Sequence, residues 1–361
     1  MLSSLAADRA RVADLDAHIL FLERSLEELK SQRQPVLERL DSYKYPVLTL
    51  PNEITIEIFM HFLPTYPLCP PLTGLDSPAL LTQVCRTWRE IALGTAALWR
   101  AISIPLRAQM LFKHQLRLSS IWLNRSSCSP ISLDLNEDVI YPLHGTELLS
   151  ALMLHCARWQ HLNLRHLTVP LLRMIQVPMP LLRSLDLSLI DFNQDSIRAK
   201  VVFPEAHLLR TVVLNDHAAE VLTLPWVQLT SLTLHGVYPQ ECVPILQYTS
   251  NLVHCKLALV DDDDGDVTVP DITLPALRSL ELAGYAEGYL KTLIVPALRD
   301  LRVSESFLEP ECVETLAAFI SKSHCQLEEL CVTDSTPESR DSYRDAFLLI
   351  TVSFGRSTWY S

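Results

Sequence analysis

Glycine is scarce, with 8 in 361 residues. So few residues free to adopt a left-handed backbone leave little room for tight regular turns or glycine-rich phosphate loops. No G-x-G-x-x-G, P-loop, G-x-S-x-G or H-E-x-x-H motif occurs. The sequence therefore offers no dinucleotide or nucleoside-triphosphate site, no nucleophile elbow and no zinc-protease helix, and we expect no enzyme and no cofactor. A basic cluster is also missing. Acids outnumber bases 42 to 30, for a formal charge of −12. Such a chain repels phosphate backbones and anionic lipid at long range, so neither nucleic acid nor a membrane surface is an expected partner. No apolar run approaches the length that spans a bilayer. The opening MLSSLAADRARVADLD lacks the apolar core of a signal peptide.

No C-x-x-C occurs among the nine cysteines (69, 85, 128, 156, 242, 255, 312, 325 and 331). Their odd number and irregular spacing fit neither a disulfide framework nor a zinc site. They read as buried thiols in a reducing compartment, the cytoplasm or the nucleus. Two metal-like patterns fail on spacing. His155, His161 and His166 are six and five apart, which shares neither a helix face nor a strand face. In the run Asp261–Asp264, Gly265, Asp266, aligning Gly265 with a calcium-loop glycine puts Val260 first and Asp271 twelfth, where the loop needs an acid and a glutamate. A solvated acidic loop is the better reading, and no metal is expected.

What is present is organised in three parts: residues 1–42, 43–104 and 105–361. In the first, Leu5, Val12, Ile19, Leu26 and Leu40 fall seven apart or a multiple of seven. Leu15, Leu22, Leu29 and Val36 fill a second seam position, with Asp8 and Arg33 as misfits. Such a heptad buries one stripe against another helix. The stripe either joins another chain or folds back on its own, and self-association through residues 5–40 is one of these outcomes. Pro35 should end or kink the helix just before it.

In the second part, Pro51 suits a first helical turn, and Ile54, Ile58, Phe59 and Phe62 recur at helical spacing. Residues 64–78 carry five prolines and a glycine and must form a loop, one expected to bulge outward. A second helix, LLTQVCRTWREIAL, follows, then a Leu98-Trp99 anchor running into a short apolar alternation.

In the third part a short segment recurs, as in LRSLDLS, LTSLTLH and LRSLELA. Nine copies begin at residues 130, 159, 182, 209, 229, 252, 277, 298 and 327, so offsets run from 20 to 29 residues. L-x-x-L-x-L at that period is the strand signature of leucine-rich repeats. Alternate residues face opposite sides of a strand, so the leucines go inward, and one unit buries its apolar side only by stacking on the next. Helices are expected at 310–323 and 146–159. The repeats are degenerate, because Leu167, Ile190, Val237 and Val260 stand where the consensus has Asn or Cys. The fold class is thus α/β: an amphipathic helix, a three-helix unit, then an irregular solenoid with a parallel sheet.

The middle part resembles the F-box family. The residues that carry the likeness are Leu50, Pro51, Glu53, Ile54, Ile58, Phe59, Val84, Cys85, Trp88, Arg89, Ile91, Ala92, Leu98, Trp99 and Arg100. With the heptad helix and the repeats, the chain is similar to fungal-type F-box proteins. The resemblance implies a substrate-recruiting subunit of a cullin-based ubiquitin ligase, bound to a Skp-type adaptor. It places Leu50, Pro51, Ile54, Ile58, Phe59, Val84, Cys85 and Trp88 at or behind the adaptor interface. A protein substrate would meet outward strand positions: His161, Asn163, Arg165, Asp186, Asn215, His235, Lys256, Glu281 and Arg302. The competing reading is a scaffold that assembles through the F-box and the N-terminal helix without a role in ubiquitin transfer.

Overall fold

The computed structural model describes residues 2–42, 46–106, 112–137, 145–190, 200–203, 205–260, 270–284, 286 and 288–356. The acidic run Asp261–Asp266 lies outside them. The chain divides into two units, Met1–Glu57 and Ile58–Ser361.

The first unit is built on helix α1 (Leu2–Ser42). The expected stop at Pro35 does not occur, and the helix runs on to Ser42. Proline removes one backbone bond and crowds the preceding turn, at a cost of about 3 kcal/mol. Side chains partly offset this, because Gln34 Nε2 donates to Glu38 Oε1 at 3.0 Å and so bridges the turn around the proline. The seam side chains of α1 are exposed, from Val36 at 45% to Leu40 at 63%. A 3-10 turn (Pro46–Thr49) then leads into α2 (Asn52–Phe62), where Thr55 N–H donates to Pro51 C=O at 3.1 Å.

In the second unit the expected single helix over 80–93 is two helices, α3 (Leu81–Val84) and α4 (Arg86–Gly94). Cys85 between them is extended, at φ −154° and ψ 174°, and its Sγ accepts from Trp88 N–H at 3.5 Å. The thiol thus takes the N-cap role that a hydroxyl more often fills, and the apolar periodicity of the sequence passes over the break.

Eleven strands follow in one sheet: β1 (Ala101–Leu106), β2 (Ile131–Glu137), β3 (Trp159–Leu167), β4 (Ser184–Leu189), β5 (Thr211–Asn215), β6 (Ser231–Val237), β7 (His254–Leu259), β8 (Ser279–Gly284), β9 (Asp300–Ser304), β10 (Glu329–Thr333) and β11 (Thr351–Gly355). Each pairs in parallel with the next in chain order. All nine recurring segments lie on β2–β10. The flanking β1 and β11 extend the sheet at both ends without the full leucine pattern. Leu185, Leu187, Leu280 and Leu282 are at most 1% exposed, while Asp186 and Glu281 between them point to the other face. Each buried leucine contributes about 1.5–3 kcal/mol relative to leaving it in water. Gly284 has φ +93°, and a Cβ there would lie 2.0 Å from the Leu259 carbonyl oxygen, so only glycine fits the end of β8.

Of the expected helices, the one over 310–323 is Cys312–Ser323. The one over 146–159 stops at Met153, because Trp159 already begins β3 and a 3-10 turn (Cys156–Arg158) makes the corner. All nine thiols are free. The reading of them as uniformly buried is corrected: Cys242, Cys255 and Cys325 are buried, five are half-buried and Cys128 is exposed. Among the described residues, no helix is long and apolar enough to cross a membrane.

Candidate functional site

Two surfaces carry the candidate residues. On α2, Ile54, Ile58 and Phe62 are four apart, and all are exposed, at 50%, 46% and 38%. A neighbouring face holds Phe59, which is 1% exposed and meets Trp88 edge-on with ring centroids 4.9 Å apart. Phe59 is therefore a support lying behind the surface, and Trp88 is half-buried against it. Leu50, Pro51 and Val84 are exposed, and Cys85 is half-buried as the cap of α4. Exposed apolar side chains at helical spacing are what a docking face shows in the absence of its partner.

The anchor expected at Leu98-Trp99 is buried, and it joins two parts of the second unit. Trp99 Nε1 donates to Ala92 C=O at 2.8 Å, which ties it to α4. Its ring meets Trp122 of helix α5 (Phe112–Arg125) edge-on at 5.0 Å, with Arg125 stacked 4.5 Å above it. Strand β1 starts two residues later, so the helical segment runs directly into the first strand of the sheet.

The proline-rich loop does not bulge outward. Leu72 N–H donates to Ser103 C=O at 3.2 Å and Ser103 N–H to Pro70 C=O at 2.9 Å, so the loop pairs with the edge of β1. That covers main-chain groups an open edge would leave free. Ser132 Oγ donates to Pro67 C=O at 2.6 Å, and Tyr66 OH to Gln160 Oε1 at 2.8 Å. Tyr66 lies edge-on to His161 at 5.3 Å, under the Arg100 guanidinium at 4.1 Å. Prolines favour this extended path because their fixed φ suits it and they need no backbone donor partner.

The second surface is the polar face of the sheet. The strand register sets Asp134, Asn163, Asp186, Val213, Thr233, Lys256, Glu281 and Arg302 side by side across eight strands. Two residues further along the strands, Asn215 and His235 are paired, and Arg165 sits at the same level on β3. Within this face Lys256 Nζ is 2.8 Å from Glu281 Oε2, and Arg165 is 3.6 Å from Asp186. Burial pushes the Asp186 carboxyl above its usual range, opposed by Arg165 and His235. Burial also lowers His161, with Arg183 adding to the effect. His235 is lowered by burial and by Lys256, with Asp186 opposing.

Asn215 has a role the sequence pattern missed. Its Oδ1 accepts from Leu189 N–H at 3.0 Å and from Ala218 N–H at 3.2 Å, while Nδ2 donates to Leu189 C=O at 2.9 Å. The side chain thus caps the helix Asp216–Val221 and continues the β4–β5 ladder, which leaves it unable to turn outward. The short N-D step into that helix was the available signal, because Asn is a favoured cap. His161, half-covered by Tyr66, is the other candidate that the fold partly withdraws. Among the described residues no group of His, Cys, Asp and Glu could hold a metal ion. Asp271, the would-be twelfth position of the calcium pattern, is paired with Lys322 at 2.7 Å.

A family model described as F-box-like matches residues 47–105, from the 3-10 turn through β1. No curated protein matches the chain. The matched span holds the exposed apolar face of α2, the Cys85-capped helix and the Trp99 anchor. Residues 47–105 of this chain are an F-box-like domain.

Proposed function

We propose that the chain is a substrate-recruiting subunit of a cullin-based ubiquitin ligase. The observation that carries this reading is the F-box-like match over residues whose apolar side chains stand exposed, with Ile54, Ile58 and Val84 at 46–58%. A Skp-type adaptor would cover Leu50, Pro51, Ile54, Ile58 and Val84, with Phe59, Cys85 and Trp88 supporting them. The sheet units are read as degenerate leucine-rich repeats, whose polar face would hold a protein substrate. Asn163, Arg165, Asp186, Lys256, Glu281 and Arg302 are of both signs and suit a partner of mixed charge. Catalysis would belong to other subunits, and this chain would contribute proximity within the cytoplasm or nucleus.

The test is capture of a Skp-type adaptor and of a cullin by the full chain and by the variant Ile54→Ala/Ile58→Ala/Val84→Ala. These side chains are exposed, so the variant should fold normally. Truncating three interface aliphatics costs about 3 kcal/mol together, on the order of a hundredfold in affinity. A folded variant that retains the adaptor at the original level would overturn the adaptor surface. Capture of the adaptor without any cullin would favour the scaffold reading.

A further inference from the structure

Helix α1 is 41 residues long, and its seam side chains are uncovered, with Val12, Leu15, Ile19, Leu22, Leu26 and Leu29 each 50–60% exposed. A continuous apolar stripe of that length does not stay in water in a stable protein. Two independent features of the helix identify what covers it. The first is charge. With Val12 and Ile19 in one seam row and Leu15 and Leu22 in the other, Arg11 and His18 fall at the flanking position before the first row. Asp16 and Glu23 fall at the flanking position after the second. In a parallel pair in register, the first kind of flank faces the second kind five residues further along the partner helix. Arg11 then meets Asp16 and His18 meets Glu23 across the pair, and on both sides, because the arrangement is twofold. The second feature is side-chain shape. Val12 and Ile19 are β-branched in a row that otherwise holds Leu5, Leu26 and Leu40, and leucines 15, 22 and 29 stand in the other row; over residues 12–22 this is the distribution that favours two parallel strands over three or four.

We infer that α1 is a homodimerisation helix: a second copy of this chain covers the stripe as a parallel, in-register coiled coil. The inference stands apart from the ligase reading, because it uses only residues of α1 and holds whether or not an adaptor binds elsewhere. Each assembly would then carry two copies of the docking surfaces. Arg33, the misfit in the first row, is long enough to carry its guanidinium out of a two-stranded seam to solvent, whereas a larger bundle would bury it.

The experiment uses the full chain in sedimentation equilibrium across a concentration series. The expected result is a dimer that becomes monomeric when residues 1–34 are removed. Arg11→Glu/His18→Glu places acid opposite acid and should weaken the dimer at least tenfold. Asp16→Lys/Glu23→Lys places base opposite base and should do the same. Mixing the two variants should restore the wild-type affinity by pairing them. Direction is read from Leu15→Cys. The helix contains no cysteine, and residue 15 lies away from its midpoint, so after mild oxidation only a parallel pair links the two copies of residue 15. The link is identified by mass spectrometry of the peptide that contains it. A wild-type chain that is monomeric throughout overturns the inference, whether its N-terminus is protected or rapidly clipped. A dimer that survives loss of residues 1–34, or one in which residue 15 does not link to itself, also overturns it.

Discussion

Replacing Asn215 by alanine removes a side chain that makes three hydrogen bonds while standing on the polar face of the sheet. Main-chain pairing between β4 and β5 covers Ser184–Leu187 against Thr211–Leu214. Leu189 lies beyond that register, and its N–H and C=O are served by Asn215 at 3.0 Å and 2.9 Å. The third bond, from Ala218 N–H at 3.2 Å, caps the helix Asp216–Val221. Leu189 is 3% exposed and Ala218 fully buried, so water cannot readily replace the lost partner. Each such bond contributes about 1 kcal/mol net, and the cost is larger where a buried group is left unpaired. Asn215→Ala should therefore destabilise by about 3 kcal/mol, of which the cap accounts for about 1 kcal/mol. Asn215→Asp retains the two accepting roles but sets a carboxylate against the Leu189 carbonyl, so it should recover the cap and little else. Asn163→Ala is the control. That side chain sits on the same face and accepts from Arg165 Nε at 3.3 Å in an exposed bond that water can replace, so its loss should stay within about 0.5 kcal/mol. Urea unfolding reads the difference as a shift of midpoint at unchanged slope. Hydrogen exchange at the Leu189 amide should accelerate in the Asn215 variant alone. If both alanine variants unfold within about 0.5 kcal/mol of each other, Asn215 is a surface residue and the reasoning fails.

Leu280→Asp buries a charge with no partner and should cost several kcal/mol, whereas Glu281→Gln gives up an ion pair to a half-exposed Lys256 and should cost under about 1 kcal/mol; equal losses in thermal unfolding would contradict the strand register. His161 and His235 are both lowered by burial. The unfolded chain therefore takes up protons first as pH falls, so their contribution is complete above about pH 6.5 and is lost below it, toward their lowered folded values. Melting temperature should drop between about pH 7.5 and 5.5, and His161→Gln/His235→Gln should flatten that drop, with His155, also lowered by burial, leaving a residue of it. An identical pH slope in the wild type and the double variant would refute the assignment.

The elements easiest to read in the sequence were those whose pattern repeats. The spacing of leucines at period two, renewed every 20–29 residues, located β2–β10 because a strand exposes its periodicity directly. Strands β1 and β11 were harder, since each lies at an end of the sheet and packs on one side against something other than a repeat: the proline-rich loop at β1, and the helix Pro337–Ala346 at β11, whose Tyr343 and Arg340 lie against Phe354. The break at Cys85 was invisible, because the apolar residues on both sides keep helical spacing while one residue turns extended. Among the candidate residues the alternation separated inward from outward positions. It could not tell an outward side chain facing water from one, like Asn215, bound to the neighbouring strand.

By itself the sequence determined the heptad of α1, the F-box-like pattern and the inward leucines, because each is a local periodicity imposed by helix or strand geometry. The tertiary structure decided which polar side chains remain available. Tyr66 reaches His161 across 95 residues of chain, the prolines of 64–78 lie along the edge of β1, and Asn215 is consumed by Leu189 across 26 residues. The first depends on which side chains the fold brings together, and the other two on which distant main-chain donors and acceptors are left unpaired once the sheet has formed. No local pattern carries that information, because an unpaired N–H or C=O exists only after all the other pairs have been made.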